Sequence, residues 1–144
     1  MKPAPALLDN GGFLGTGWSF PPAFDGVGCA AAMVAAEEDV HQALRILLST
    51  KPGERVMRPT WGAGLRRFVF EALDQSVLTA LRDTIEQAVR FHEPRVRLDG
   101  VDVELDERLE GVLRLSLRYT IRSTHTRHNL VFPFYLDPTS EAAP

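Results

Sequence analysis

The chain has 144 residues, a formal net charge of −3 and 24% charged residues. That is the size of one domain, and the balance of charge gives no electrostatic reason to expect nucleic acid as a partner. A domain of this length can bury roughly 68–70% of its unfolded surface; it needs no disulfide, and its single cysteine, Cys29, excludes an internal one and fits a reducing compartment.

Residues 1–36 carry glycines and prolines around Phe13, Trp18, Phe20 and Phe24, which breaks up long regular elements. So many aromatics are unusual in a disordered tail, and the reading is an extended arm laid on a surface, either of this chain or of a partner. The run "GCAAAMVAA" is short and lacks a preceding basic segment, so it is neither a signal peptide nor a membrane span. Residues 37–50, "EEDVHQALRILLST", place Val40, Leu44, Leu47 and Leu48 at helical spacing. Glu37, Glu38 and Asp39 suit the positive end of the helix dipole.

"ERVMRPTWGAG" at 54–64 is a connector. "LRRFVFEAL" at 65–73 puts Leu65, Phe68, Val69 and Ala72 on one face and predicts a short helix. A longer helix follows, capped by Asp74 or Ser76, with an apolar stripe of Val77, Leu78, Leu81, Ile85, Ala88 and Val89. It must stop before Pro94, because the residue preceding proline disfavours helical geometry.

The period then changes from 3.6 to 2. Val96 and Leu98 alternate, the parity flips at Gly100, and Val101, Val103 and Leu105 continue, which predicts a bulge or a bend there. Residues 112–122 alternate with Leu113, Leu115, Leu117, Tyr119 and Ile121 on one face and arginines on the other. "DERLEG" joins the two runs into an antiparallel hairpin. "NLVFPFYL" at 129–136 is apolar on both parities, and Pro133 makes it an edge strand or a bulged one. The expected fold is α+β: helices in the N-terminal half packed on a small, mainly antiparallel C-terminal β-sheet, with an extended N-terminal arm. The expected organisation is an arm over 1–36, one domain over 37–136 and a flexible tail over 137–144.

Chemistry is sparse. "GGFLGTG" has neither a preceding strand nor a following Lys-Ser/Thr, so it is no phosphate loop. His41, His92, His125 and His128 lie at no metal-binding spacing and read as surface residues. No Gly-x-Ser-x-Gly elbow is present, and neither a cofactor nor a metal is implied. Among 19 acids, Glu93 has the most specialised setting, in "RFHEPRVR". A cation two residues away stabilises a carboxylate, the opposite of what a general acid in glycoside hydrolysis requires. Glu93, Pro94 and Arg95 therefore read as either a structural clasp or a docking corner.

"GTGWSFPP", "EEDVHQALRILLSTKPGERVMRPTWGAGLRRFVFE" and "RFHEPRVRLDGVDV" stand in the order in which similar blocks occur in the baseplate wedge, or sheath-initiator, family of contractile injection machines. The resemblance runs over roughly residues 13–136 and is strongest at Gly53-Glu54-Arg55, at Arg58-Pro59 with Gly62 and Leu65, and at Glu93-Pro94-Arg95. Where the family usually has Trp before Glu-Pro-Arg this chain has His92, and where Tyr or Phe often precedes the glycine it has Trp61.

The resemblance implies a structural part rather than an enzyme, assembled in the bacterial cytoplasm and sited at the baseplate of a phage-tail-like particle. Expected partners are the sheath protein, other baseplate wedge proteins and inner tube or spike and hub proteins, with six copies per particle, no nucleic acid and no insertion into a membrane. The expected contacts are the Glu93, Pro94 and Arg95 corner for wedge neighbours, Leu130, Phe132 and Phe134 for an added sheath strand, and Trp18 and Phe20 in the arm. The alternative is a peptidoglycan-degrading glycosidase, since some members carry the name lysozyme; it reads as a name inherited from a neighbouring tail component.

Overall fold

The computed structural model describes residues 16–24, 33–108 and 111–136. Phe13, Cys29 and the tail from 137 to 144 lie outside them. The chain divides into two compact units, Met1–Gln42 and Ala43–Pro144.

In the first unit, strand β1 (Thr16–Trp18) pairs antiparallel with β2 (Met33–Ala35), Thr16 opposite Ala35 and Trp18 opposite Met33. No alternation announces these short strands. Helix α1 (Ala36–Ser49) follows, with three acids in its first turn. Phe20 donates its backbone N–H to Gln42 Oε1 at 2.7 Å, and Gln42 Nε2 donates to Glu38 Oε1 at 3.0 Å.

The second unit is built from the end of α1, a 3₁₀ helix (Leu65–Phe70), α2 (Gln75–His92), and strands β3 (Val96–Leu105), β4 (Val112–Ile121) and β5 (Arg127–Tyr135) in sheet order β3-β4-β5, all antiparallel. The 3₁₀ helix replaces the helical turn expected over 65–73 and ends earlier. Its period of three buries Leu65 and Phe68, leaves Val69 half-buried and Ala72 exposed. Gly64 enters it in the left-handed region, and extended Glu71 ends it. Asp74, not Ser76, caps α2: its carboxylate accepts from Ser76 Oγ at 2.7 Å and from Val77 N at 2.8 Å, which, the hydroxyl first, holds its carboxyl below the ordinary range.

The core lies on one face of the sheet. Leu44, Leu47, Leu48, Leu81, Ile85 and Val89 come from the helices, and α2 runs against β3. Leu113, Leu115, Leu117, Tyr119 and Ile121 of β4 are all buried. Each such side chain contributes about 1.5–3 kcal/mol on burial. A one-residue slip would expose all five and push Arg114 and Arg118 inwards, so the register has a single stable setting. The opposite face is polar: Arg118 meets Asp102 at 3.2 Å and Arg114 meets Asp106 at 2.9 Å.

The bulge stands one residue before the expected glycine. Leu98 faces Tyr119 and Gly100 faces Arg118, leaving Asp99 as the extra residue. A Cβ at Gly100 would sit 2.7 Å from Arg118 Nη2, the far end of an exposed side chain that can move aside.

Candidate functional site

Two of the blocks that the sequence sets apart meet at the end of α2. Glu93 is the C-cap residue, its N–H bonded to Val89 O at 2.9 Å. Pro94 prevents another helical turn. The chain turns through Val96 N–Glu93 O at 3.3 Å and enters the sheet when Arg122 N bonds Arg95 O at 2.9 Å. The two charges face each other across this corner. Arg95 Nε donates to Glu93 Oε1 at 2.7 Å and Arg95 Nη2 to Glu93 Oε2 at 2.9 Å, a bidentate pair. Glu93 is 7% exposed, whereas Pro94 is exposed and Arg95 half-buried. The clasp is thus internal, and the outer members of the corner are Pro94 and Arg95.

The connector 51–64 is a stapled loop. Gly53 N bonds Pro59 O at 2.6 Å, Lys51 N bonds Glu54 Oε2 at 3.0 Å, and Ala63 N bonds Leu47 O at 3.0 Å. Gly62 has φ +128, and a Cβ there would lie 2.6 Å from Thr50 O, so only glycine lets the loop close on the end of α1. The Arg55 guanidinium stacks 3.9 Å above the Trp61 ring, and Trp61 meets His92 at 6.1 Å between ring centroids. The residue preceding Glu-Pro-Arg therefore touches the residue preceding the loop glycine. The loop tip presents Val56 and Met57, 93% and 91% exposed.

The third element is the outer side of β5. Leu136 N bonds Gly111 O at 2.7 Å and Ile121 N bonds Thr126 O at 2.9 Å. With the register Val112↔Tyr135 through Thr120↔Arg127, this sets the phase of the ladder: even-numbered residues of β5 bond β4. The odd-numbered residues Arg127, Asn129, Val131, Pro133 and Tyr135 turn their main-chain groups the other way. Among the described residues no strand pairs with that side. Leu130 and Phe134 are buried in this chain's own core, and Phe132 is half-buried.

The sequence profile of the baseplate wedge protein gp25 family matches residues 34–126, well over half of the chain. The chain belongs to this family. It is similar to a suspected tail lysozyme from Geobacter sulfurreducens, at 40% identity over 76% of this chain and 99% of that one, with a TM-score of 0.69. It is similar to a chain of the anti-feeding prophage baseplate, sixfold symmetrised, at 29% identity over 87% of this chain and 88% of that one, TM-score 0.63. A chain of the post-contraction R2 pyocin baseplate shares the fold, at 24% identity over 71% of this chain and 99% of that one, TM-score 0.57. No curated protein matches the chain.

The other candidate residues of this baseplate wedge protein lie within their own units. Trp18, Phe20 and Phe24 are exposed, with Trp18 and Phe24 in edge contact at 6.3 Å. His128 stacks on Tyr119 at 5.6 Å and bonds Thr126 Oγ1 at 3.0 Å. Among the described residues no three His, Cys, Asp or Glu side chains could hold a metal, and no helix is long and apolar enough to cross a membrane. Sequence reasoning did not single out Val56, Met57 or Phe70, which is 85% exposed. The available signal was apolar residues inside a stretch broken by glycine and proline, where periodicity assigns no side.

Proposed function

We propose that this baseplate wedge component is structural, not enzymatic, and that its β5 edge starts the sheath by accepting an extended strand from a sheath subunit. One observation carries the reading: the outward main-chain groups of Arg127, Asn129, Val131 and Tyr135 face no partner strand among the described residues. Such an edge templates pairing with another chain. Pro133 interrupts it at one position, which limits indiscriminate pairing without closing the edge.

The Pro94 and Arg95 side of the corner suits contact with neighbouring wedge proteins, and exposed Trp18 and Phe20 suit contact with a tube, spike or hub component. The sixfold symmetry of the anti-feeding prophage baseplate supports six copies. The name of the Geobacter relative favours a second reading, a peptidoglycan glycosidase. Against it, Glu93 has both carboxylate oxygens engaged by Arg95, which leaves it unsuited to proton transfer.

The test uses Val131→Pro, which removes one outward donor and leaves the β4 ladder intact. Electron microscopy of particles carrying this folded, incorporated variant is expected to show baseplates with tubes and no extended sheath; normal sheaths would overturn the strand-addition reading. A turbidity assay on peptidoglycan is expected to show no clearing, and clearing abolished by Glu93→Gln would overturn the structural one.

A further inference from the structure

The core layer does not stop at β5. Beside the outer edge lies a groove of about 200 Å³. Leu48, Leu65, Val69 and Phe70 form its helical side, and Phe132 and Phe134 form its floor on the strand. Leu48 and Leu65 are 2% exposed, whereas Phe70 is 85% exposed and projects at the rim. An apolar cavity of roughly 150 Å³ takes a benzene ring, so this groove has room for one large apolar side chain. Among the described residues its charged lining residues are Lys51 and Arg66, both cationic.

The groove and the outward groups of β5 share the Phe132–Tyr135 segment. A strand paired to this edge turns alternate side chains to the face that Phe132 and Phe134 occupy. One of them would continue the core layer at the position the groove holds open. The cations at its margin would face the residues beside that side chain.

We infer that the groove is the specificity pocket of the edge: it accepts an extended partner segment carrying one large apolar side chain, Phe or Leu, flanked by a carboxylate. The inference rests on the edge reading above and adds what the edge alone lacks, a way to choose among strands and to set their register. Main-chain pairing is indifferent to sequence, while one buried side chain at a fixed position is not.

The experiment uses the full chain and three synthetic eight-residue peptides of alternating Val and Thr. The first carries Phe-Asp at its centre, the second Ala-Asp and the third Phe-Lys. Fluorescence anisotropy reads affinity, and amide hydrogen exchange reads protection at Asn129, Val131 and Tyr135. The Phe-Asp peptide is expected to bind at least about tenfold more tightly than the Ala-Asp peptide, as burial of a large apolar side chain requires, and more tightly than Phe-Lys at low salt. Phe70→Asp, at an exposed position, is expected to erase the Phe-over-Ala preference while edge protection persists. Equal affinities with protected amides would overturn the pocket and leave the edge reading standing. No protection by any peptide would overturn the edge reading and the pocket with it. Concentration-dependent dimerisation abolished by Phe70→Asp would assign the groove to a second copy and overturn the proposal.

Discussion

Pro133 stands opposite Arg114 at a position where the two strands exchange no main-chain hydrogen bond. The missing N–H of proline therefore costs the β4–β5 ladder nothing and falls wholly on the outer edge. Pro133→Thr is expected to change unfolding free energy by no more than about 0.5 kcal/mol while restoring a continuous row of donors. Increased self-association in sedimentation velocity, at unchanged denaturant midpoint, is the expected result. A large loss of stability would show that the proline supports the ladder.

The bidentate Glu93–Arg95 pair lies between two limits. Exposed pairs contribute about 0–1 kcal/mol, and removing one partner of a fully buried pair costs roughly 3–5 kcal/mol. The Glu93 side chain is 9% exposed and that of Arg95 30%. Arg95→Ala is expected to cost roughly 2–3 kcal/mol in urea unfolding, because it strands a buried carboxylate. Glu93→Gln combined with Arg95→Met is expected to recover most of that loss. A cost below about 1 kcal/mol for Arg95→Ala would remove the clasp and leave the corner purely for docking.

Trp61 holds the loop between Arg55 and His92. An exposed cation–π contact contributes about 0.5–1 kcal/mol and an aromatic pair about 0.5–1.5 kcal/mol. Trp61→Ala is expected to cost roughly 1–2 kcal/mol and to speed exchange of the Gly53 amide, which bonds Pro59 O across the loop. His92→Trp, the residue usual in the family at this position, is expected to preserve the slow exchange. Unchanged Gly53 protection in Trp61→Ala would show that the backbone bonds alone hold the loop.

Asp99, the bulge residue, titrates below its ordinary value of 3.8, first because the Thr120 hydroxyl donates to it and then because Arg97 lies beside it. A depressed folded pKa means that the stabilisation is present above the unfolded value and is lost as pH falls through the folded one. Thr120→Val is expected to raise the Asp99 carboxyl towards 3.8 in an NMR titration. It should also narrow the stability difference from the parent as pH drops below about 4. A titration point unchanged by Thr120→Val would remove the hydroxyl as the cause.

The sequence by itself determined the elements whose physics is local. The stripe from Leu81 to Val89 made α2 a helix, and Pro94 ended it. Strict alternation from Leu113 to Ile121 made β4 a strand with one inward face, and the parity flip at Gly100 announced the bulge at Asp99. Pro133 marked β5 as either an edge strand or a bulged one, and the sheet order made it the edge. Glu93-Pro94-Arg95 was legible as a special corner, but not whether its charges turned towards each other; that depends on where Val89, Arg122 and the strand beyond place them. The contact of Trp61 with His92 joins residues 31 positions apart, and no local rule reports it. Leu65–Phe70 closed as a 3₁₀ helix because tertiary packing buried positions three apart where local spacing allowed either period. Which side of β5 is open and which side chains the groove beside it admits followed only from register and packing. Hydrogen-bond phase and cavity shape are properties of pairs of elements and are written in neither one alone.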